Sequence, residues 1–214
     1  LISAIIFDCD GTLVDSETIG ITAVHEHAQP YGLSLALDDI LEKFRGRSMA
    51  ENVAELGRNT QHPLPESFTA SAREAMGVAF SKALLPLPGA LDLVRQLTLP
   101  CCVATNGPFD KTEYTLGLTG LLPYFKGRIF SAYDVGYWKP DPHLFLHAAK
   151  TLGVVPTECA VVEDSLPGIR AGLAAGMQVF SLHPVEHTPP ELLRQIHPIQ
   201  RLADLAPVLG LKAF

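Results

Sequence analysis

A chain of 214 residues, 47% hydrophobic and only 18% charged, has the apolar content for one large packed domain or for one domain carrying an insertion. Its formal net charge of −7, with no run of Lys or Arg, argues against nucleic acid and anionic membrane surfaces as partners, since both need a basic face. A small anionic substrate stays open, because it needs only local positive charge, and the shortness of the apolar stretches makes a cytoplasmic protein the expectation.

The first element is Ala4-Ile5-Ile6-Phe7, an unbroken apolar run of the kind that forms a strand buried on both faces, predicted over 3–8. It runs into Asp8-Cys9-Asp10-Gly11-Thr12-Leu13-Val14-Asp15-Ser16, two carboxylates two residues apart ahead of a tight Gly-Thr turn. Residues i and i+2 share a side of a strand, so both acids can face one site. Two acids that close stay ionised only if a cation neutralises them; otherwise one takes up a proton. Both options serve chemistry: a divalent metal keeps one carboxylate charged while its neighbour acts as general acid and base. A lone pair of this kind can equally cap a turn, and the remaining segments decide.

From 16 to 87 the pattern turns helical without a convincing strand. Helices are predicted over 17–31, 38–44, 48–57 and 66–83, with Ser48-Met49-Ala50-Glu51 as a capping box. This stretch is too long for a loop and reads as an inserted α-helical cap, leaving 1–15 and 88–214 as the core. Beyond it, strands predicted over 100–105, 128–131, 159–163 and 178–182 alternate with helices, the signature of an α/β parallel sheet with crossover helices. Gly107-Pro108, Asp141-Pro142 and Ser165-Leu166-Pro167 mark helix starts just past strand ends, where anions are attracted. Cys9, Cys101, Cys102 and Cys159 lie in or beside apolar runs without metal-type spacing and read as small buried residues in a reducing compartment. The Pro-rich stretch from His183 to Pro190 reads as a surface loop before a last helix.

Three strand ends supply what a phosphate site needs. Thr105-Asn106-Gly107 offers a hydroxyl and consecutive backbone N–H groups at a helix start. Trp138-Lys139-Pro140-Asp141-Pro142 places one Lys in a stiff loop. Glu163-Asp164-Ser165, followed by Gly168, brings two more carboxylates to the same edge. Each piece alone is an ordinary turn, loop or helix cap. Together with the Asp pair, and in this order, they resemble the four motifs of the haloacid dehalogenase superfamily, in its branch of sugar-phosphate phosphatases and β-phosphoglucomutases with a helical cap after the first motif.

The resemblance implies a Rossmann-like core and Mg²⁺ chemistry. Carried onto this sequence, it makes Asp8 the nucleophile, Asp10 the general acid/base, and Thr105, Asn106, Gly107 and Lys139 the phosphate site. Asp164 becomes a metal ligand with Asp8 and the Asp10 carbonyl, and Glu163 holds metal-bound water from behind. The implied reaction is hydrolysis of a small phosphate ester, a sugar phosphate, through an aspartyl-phosphate. Asp10 favours phosphate esters over carbon-halogen bonds, because members of the superfamily that break the latter lack this acid. Arg45 and Arg47 in the cap loop offer two guanidinium groups, which makes an acidic sugar phosphate such as 6-phosphogluconate an attractive substrate. Mutase-like members carry a His and an Arg where this chain has Gly20 and Met49, which lowers a β-phosphoglucomutase-like reading. A receiver-like signalling module also phosphorylates an Asp at a strand end, but it needs neither the second Asp nor a cap.

Overall fold

The computed structural model describes residues 1–44 and 47–213. They fall into two compact units, Leu1–Val14 with Leu85–Phe214, and Asp15–Leu84.

The first unit is built on strands β1 (Ala4–Phe7), β2 (Cys101–Thr105), β3 (Ile129–Ser131), β4 (Cys159–Glu163), β5 (Gln178–Ser181) and β6 (His197–Pro198). They form one parallel sheet in the order β3-β2-β1-β4-β5-β6. Strand β1 is therefore central and flanked on both sides, which is why all four of its residues are apolar and buried. Phe7 lies level with Val103 of β2 and with Val162 of β4, so Asp8 comes level with Glu163, and Thr105 ends β2 a residue further on. This is a Rossmann-like arrangement, and its strand order reverses beside β1, the place where such sheets bind ligands.

The second unit holds the helices α1 (Ser16–Ala28), α2 (Leu37–Phe44), α3 (Met49–Arg58) and α4 (Phe68–Ala83). Ile21, Val24, Ile40, Phe44, Leu56 and Phe68 form its core. Ser48 caps α3 as its sequence predicts: its hydroxyl accepts from the Glu51 N–H, and the Glu51 carboxylate accepts from the Ser48 N–H. Gly20 is where α1 passes close to α4. A Cβ there would lie 2.9 Å from Met76 Cε and 3.4 Å from Phe80.

Back in the sheet unit, the helices are α5 (Ala90–Gln96), α6 (Phe109–Leu118), α7 (Leu122–Phe125), α8 (Ala132–Val135), α9 (His143–Leu152), α10 (Leu166–Ala174) and α11 (Pro190–Leu193). One face of the sheet, through Ala4, Ile6, Ala104 and Val161, packs on Leu144 and Phe145 of α9 and Ile169 of α10. On the other face the Phe7 ring meets Phe125 of α7 edge-on, with centroids 5.9 Å apart.

Three details differ from the sequence expectation. Helix α1 stops at Ala28, and 29–31 continue as a 3₁₀ turn, because Pro30 cannot donate to an α-helical ladder and Gly32 closes the turn at φ 72°. Strand β6 was not predicted: two exposed residues ending in Pro carry no alternating pattern, and such a strand survives only at a sheet edge. Helix α6 begins at Phe109 with Pro108 in its cap position, one residue later than Gly107-Pro108 suggests, and the Thr105 hydroxyl accepts from the Gly107 N–H at 3.0 Å. All four cysteines are free and buried, and no helix among the described residues is long and apolar enough to cross a membrane.

Candidate active site

The chain leaves β1 through a tight loop in which the N–H groups of Leu13 and Val14 bond back to the Cys9 carbonyl and the Gly11 N–H bonds to the Val14 carbonyl. Gly11 has φ 79°, and a Cβ there would sit 2.1 Å from Asp164 Oδ2. Only glycine lets this loop and the loop after β4 approach so closely. Across the same gap the buried Thr12 hydroxyl donates to Asp164 Oδ1 at 3.1 Å. The first motif thus holds the carboxylate supplied by the fourth.

Lys139 is buried, and its Nζ donates to Asp8 Oδ1 and to Glu163 Oε1, both at 2.6 Å. The same ammonium lies 4.9 Å from the centroid of Phe145. Burial works against the Lys139 cation, but Asp8 and Glu163 outweigh it and hold its pKa above the ordinary lysine value. Asn106 fixes the loop that carries this lysine. It accepts from the Lys139 N–H at 2.9 Å and donates to the Lys139 carbonyl at 3.3 Å, so its side chain is committed to the loop.

Glu163 is fully buried and anchored from two sides. Lys139 takes one oxygen; the other accepts from the N–H groups of Asp164 and Ser165 and from the Ser165 hydroxyl, at 2.8–3.0 Å. An ionised carboxylate has about four acceptor sites, so little capacity is left over. A negative charge at the start of α10 also suits the helix dipole. Gly168 is needed because a Cβ there would fall 1.8 Å from Glu163 Oε1. Helix propensity alone would reward Gly168→Ala by about 1 kcal/mol. With Glu163 tied down, the overlap reverses the sign, and we expect urea unfolding to show a loss of about 1–3 kcal/mol.

Asp10 extends from the loop after β1 towards α6, where Lys111 Nζ pairs with its Oδ1. Its Oδ2 lies 3.5 Å from the Cβ position of Gly107, and Thr105 Oγ1 lies 3.3 Å from that same point. Asp10, Thr105 and Gly107 therefore meet at one spot. Lys111 was not singled out from the sequence, where a Lys in the first turn of a helix is unremarked. Burial lowers the Lys111 pKa, but the Asp10 carboxylate and its neighbours more than compensate and raise it.

Among the described residues, Asp8, Glu163 and Asp164 form the one acidic cluster suited to a metal, offering one oxygen each with all three within 4.8 Å of one another. All-oxygen donors suit a hard cation such as Mg²⁺. The charge state agrees: burial pushes the Asp8 carboxyl up to about 7 from its ordinary 3.8, Lys139 opposes the shift, and Glu163 and Asp10 reinforce it. One buried ammonium is too little positive charge for these acids, and a divalent ion would supply the rest. His183 lies behind the cluster, with Nδ1 2.8 Å from the Asp164 carbonyl, and no sequence signal pointed to it. Trp138, at the head of the Lys139 loop, is exposed and meets Tyr133 edge-on. Arg47 is exposed in the helical unit, and Arg45 lies outside the described residues.

A central parallel strand ending in an Asp-x-Asp pair, with a buried Lys and two further acids from neighbouring strand ends, defines a Rossmann-like α/β hydrolase with an oxygen-rich site. The chain belongs to the haloacid dehalogenase-like hydrolase family, whose pattern matches residues 2–176. It is 34% identical over 207 residues to the 6-phosphogluconate phosphatase of Escherichia coli K12, covering 95% of this chain and 93% of that one. It is 30% identical over 189 residues to hexitol phosphatase A of the same organism, covering 86% and 84%. A solved HAD family hydrolase from Deinococcus radiodurans R1, with bound phosphate and sodium, superposes with a TM-score of 0.78 at 28% identity, covering 98% of this chain and 95% of that one.

Proposed function

We propose that the protein is a Mg²⁺-dependent phosphatase of small sugar phosphates, with acidic members such as 6-phosphogluconate preferred, and that it works through an aspartyl-phosphate on Asp8. The observation that carries this reading is the Asp8 carboxylate at the end of the central strand, paired with buried Lys139, beside Asp164, and two residues before an acid that meets Thr105 and Gly107. The names of the two Escherichia coli relatives support a sugar phosphate as substrate.

Asp8 attacks phosphorus in line and the ester P–O bond breaks, while Asp10 gives its proton to the departing sugar oxygen. Asp10 then takes a proton from water; that water attacks the same phosphorus, the P–O bond to Asp8 breaks, and phosphate leaves with the Asp8 carboxylate restored. Lys139 adds fixed positive charge where the phosphoryl oxygens gather. The Thr105 hydroxyl and the Asn106 N–H receive phosphate oxygens just ahead of α6, and the Gly107 N–H, which donates to Thr105 Oγ1, holds that hydroxyl in place. Asp8 and Asp164, with the Asp10 carbonyl, are the ligands for Mg²⁺, and Glu163 supports them from behind. The ion supplies charge neutralisation and orientation of the phosphoryl group.

The helical unit serves as the substrate-selective cap in this reading, with Arg45 and Arg47 as the residues that select an acidic or polar substrate. Gly20, packed against Met76 and Phe80, fits a phosphatase better than a mutase with a histidine at this position.

The experiment that tests the reading is phosphate release from a panel of sugar phosphates with Mg²⁺ or with EDTA, and release without any metal would contradict it. The pH dependence of stability follows from the raised Asp8 pKa. A carboxyl whose pKa is higher in the folded chain contributes stability that is complete below about 4 and disappears as pH rises through about 7. In EDTA the melting temperature therefore falls between pH 5 and pH 8. Mg²⁺ raises it more at pH 8 than at pH 5, because protons no longer compete for Asp8. Melts by differential scanning fluorimetry check both statements.

A further inference from the structure

Two lysines enter the site, and they differ in exposure. Lys139 is 2% exposed in its side chain and divided between two buried carboxylates. Lys111 is 30% exposed, stands in the first turn of α6, and is paired with Asp10, whose side chain is 26% exposed. On the reading above, Asp10 protonates the oxygen of the leaving sugar, so the cation paired with Asp10 lies within reach of the leaving group. A chain of net charge −7, with Asp8, Asp10, Glu163 and Asp164 around one site, repels a second acid on the substrate unless a cation receives it.

We propose that Lys111 is a specificity-determining residue that exchanges its contact with Asp10 for a carboxylate on the departing sugar, which makes sugar-acid phosphates the preferred substrate class. This rests on the phosphatase reading and adds a residue to it. The exchange is a movement of one flexible side chain between two carboxylates, and it forms no covalent bond. It also removes the ammonium from Asp10 while that acid handles its proton.

The test compares two substrates that differ only at C1, 6-phosphogluconate and sorbitol 6-phosphate, with wild type, Lys111→Met, Lys111→Arg and Arg47→Met. We expect Lys111→Met to lower kcat/KM for the acid by about tenfold to a hundredfold more than for the alditol, the range of a hydrogen bond to a charged group. Lys111→Arg recovers most of the preference, and Arg47→Met leaves the Lys111-dependent difference in place. Equal losses on both substrates would make Lys111 a support for Asp10 alone and overturn the proposal. So would a preference that disappears with Arg47→Met and survives Lys111→Met. Wild type inactive on both substrates and on p-nitrophenyl phosphate would instead count against the phosphatase reading. In that case, protection of the Asp8→Asn variant from unfolding by each sugar phosphate still tests Lys111, with stronger protection by the acid expected only when Lys111 is present.

Discussion

We expect Asp8→Asn to lower kcat by about ten-thousand-fold or more while the protein still unfolds in one cooperative transition, a loss typical of removing a nucleophile. Asn occupies the same volume and can still accept from Lys139, so the packing of β1 and the loop to Val14 is retained. What it lacks is the charged oxygen that, in the proposed mechanism, bonds to phosphorus. Burial already disfavours a negative charge here, so removing that charge relieves the fold while it ends the chemistry. Steady-state phosphate release together with a melt separates the two effects. An Asn variant retaining a tenth of wild-type turnover would mean that another group attacks phosphorus.

Lys139→Met has the largest expected effect on stability. Lys139 is the ammonium between Asp8 and Glu163, and removing it leaves two buried acids facing each other without a cation. Breaking a buried pair in this way costs about 3–5 kcal/mol. On the proposed mechanism turnover is expected to fall by about a hundredfold to a thousandfold, since fixed charge at the phosphoryl oxygens would be lost as well. Mg²⁺ should restore part of the lost stability, because a divalent ion beside Asp8 replaces some of the missing charge. Urea unfolding with EDTA and with Mg²⁺ measures this. A loss below 1 kcal/mol in EDTA would contradict the central position given to Lys139.

Much of the sheet and of its loaded edge was legible because each acid or base follows an apolar run. Asp8 after 4–7, Thr105 after 101–104 and Glu163 after 159–162 are all polar residues where an apolar run ends, and that boundary is visible in one dimension even though all three are buried. Side-chain commitments were not visible. Asn106 reads as a phosphate-binding residue, yet its amide is bonded to the backbone of Lys139, 33 residues away. Glu163 reads equally as a helix cap or a metal-site acid, and its oxygens serve the start of α10 and Lys139 together. Lys111 was hidden for the same reason: its partner Asp10 lies 101 residues earlier, and only the approach of α6 to the loop after β1 joins them. Gly11 and Gly168 show what spacing cannot express. The sequence marks them as turn and helix residues, whereas the structure needs them because Asp164 and Glu163 occupy the space a Cβ would take.

The most direct test of the account is to quench a single turnover with acid and map the phosphorylated peptide by mass spectrometry. The account predicts a phosphoryl group on the peptide containing Asp8 that forms before free phosphate appears and is missing in Asp8→Asn. Phosphate released at the full wild-type rate with no label on Asp8, or with label on a different residue, would contradict it.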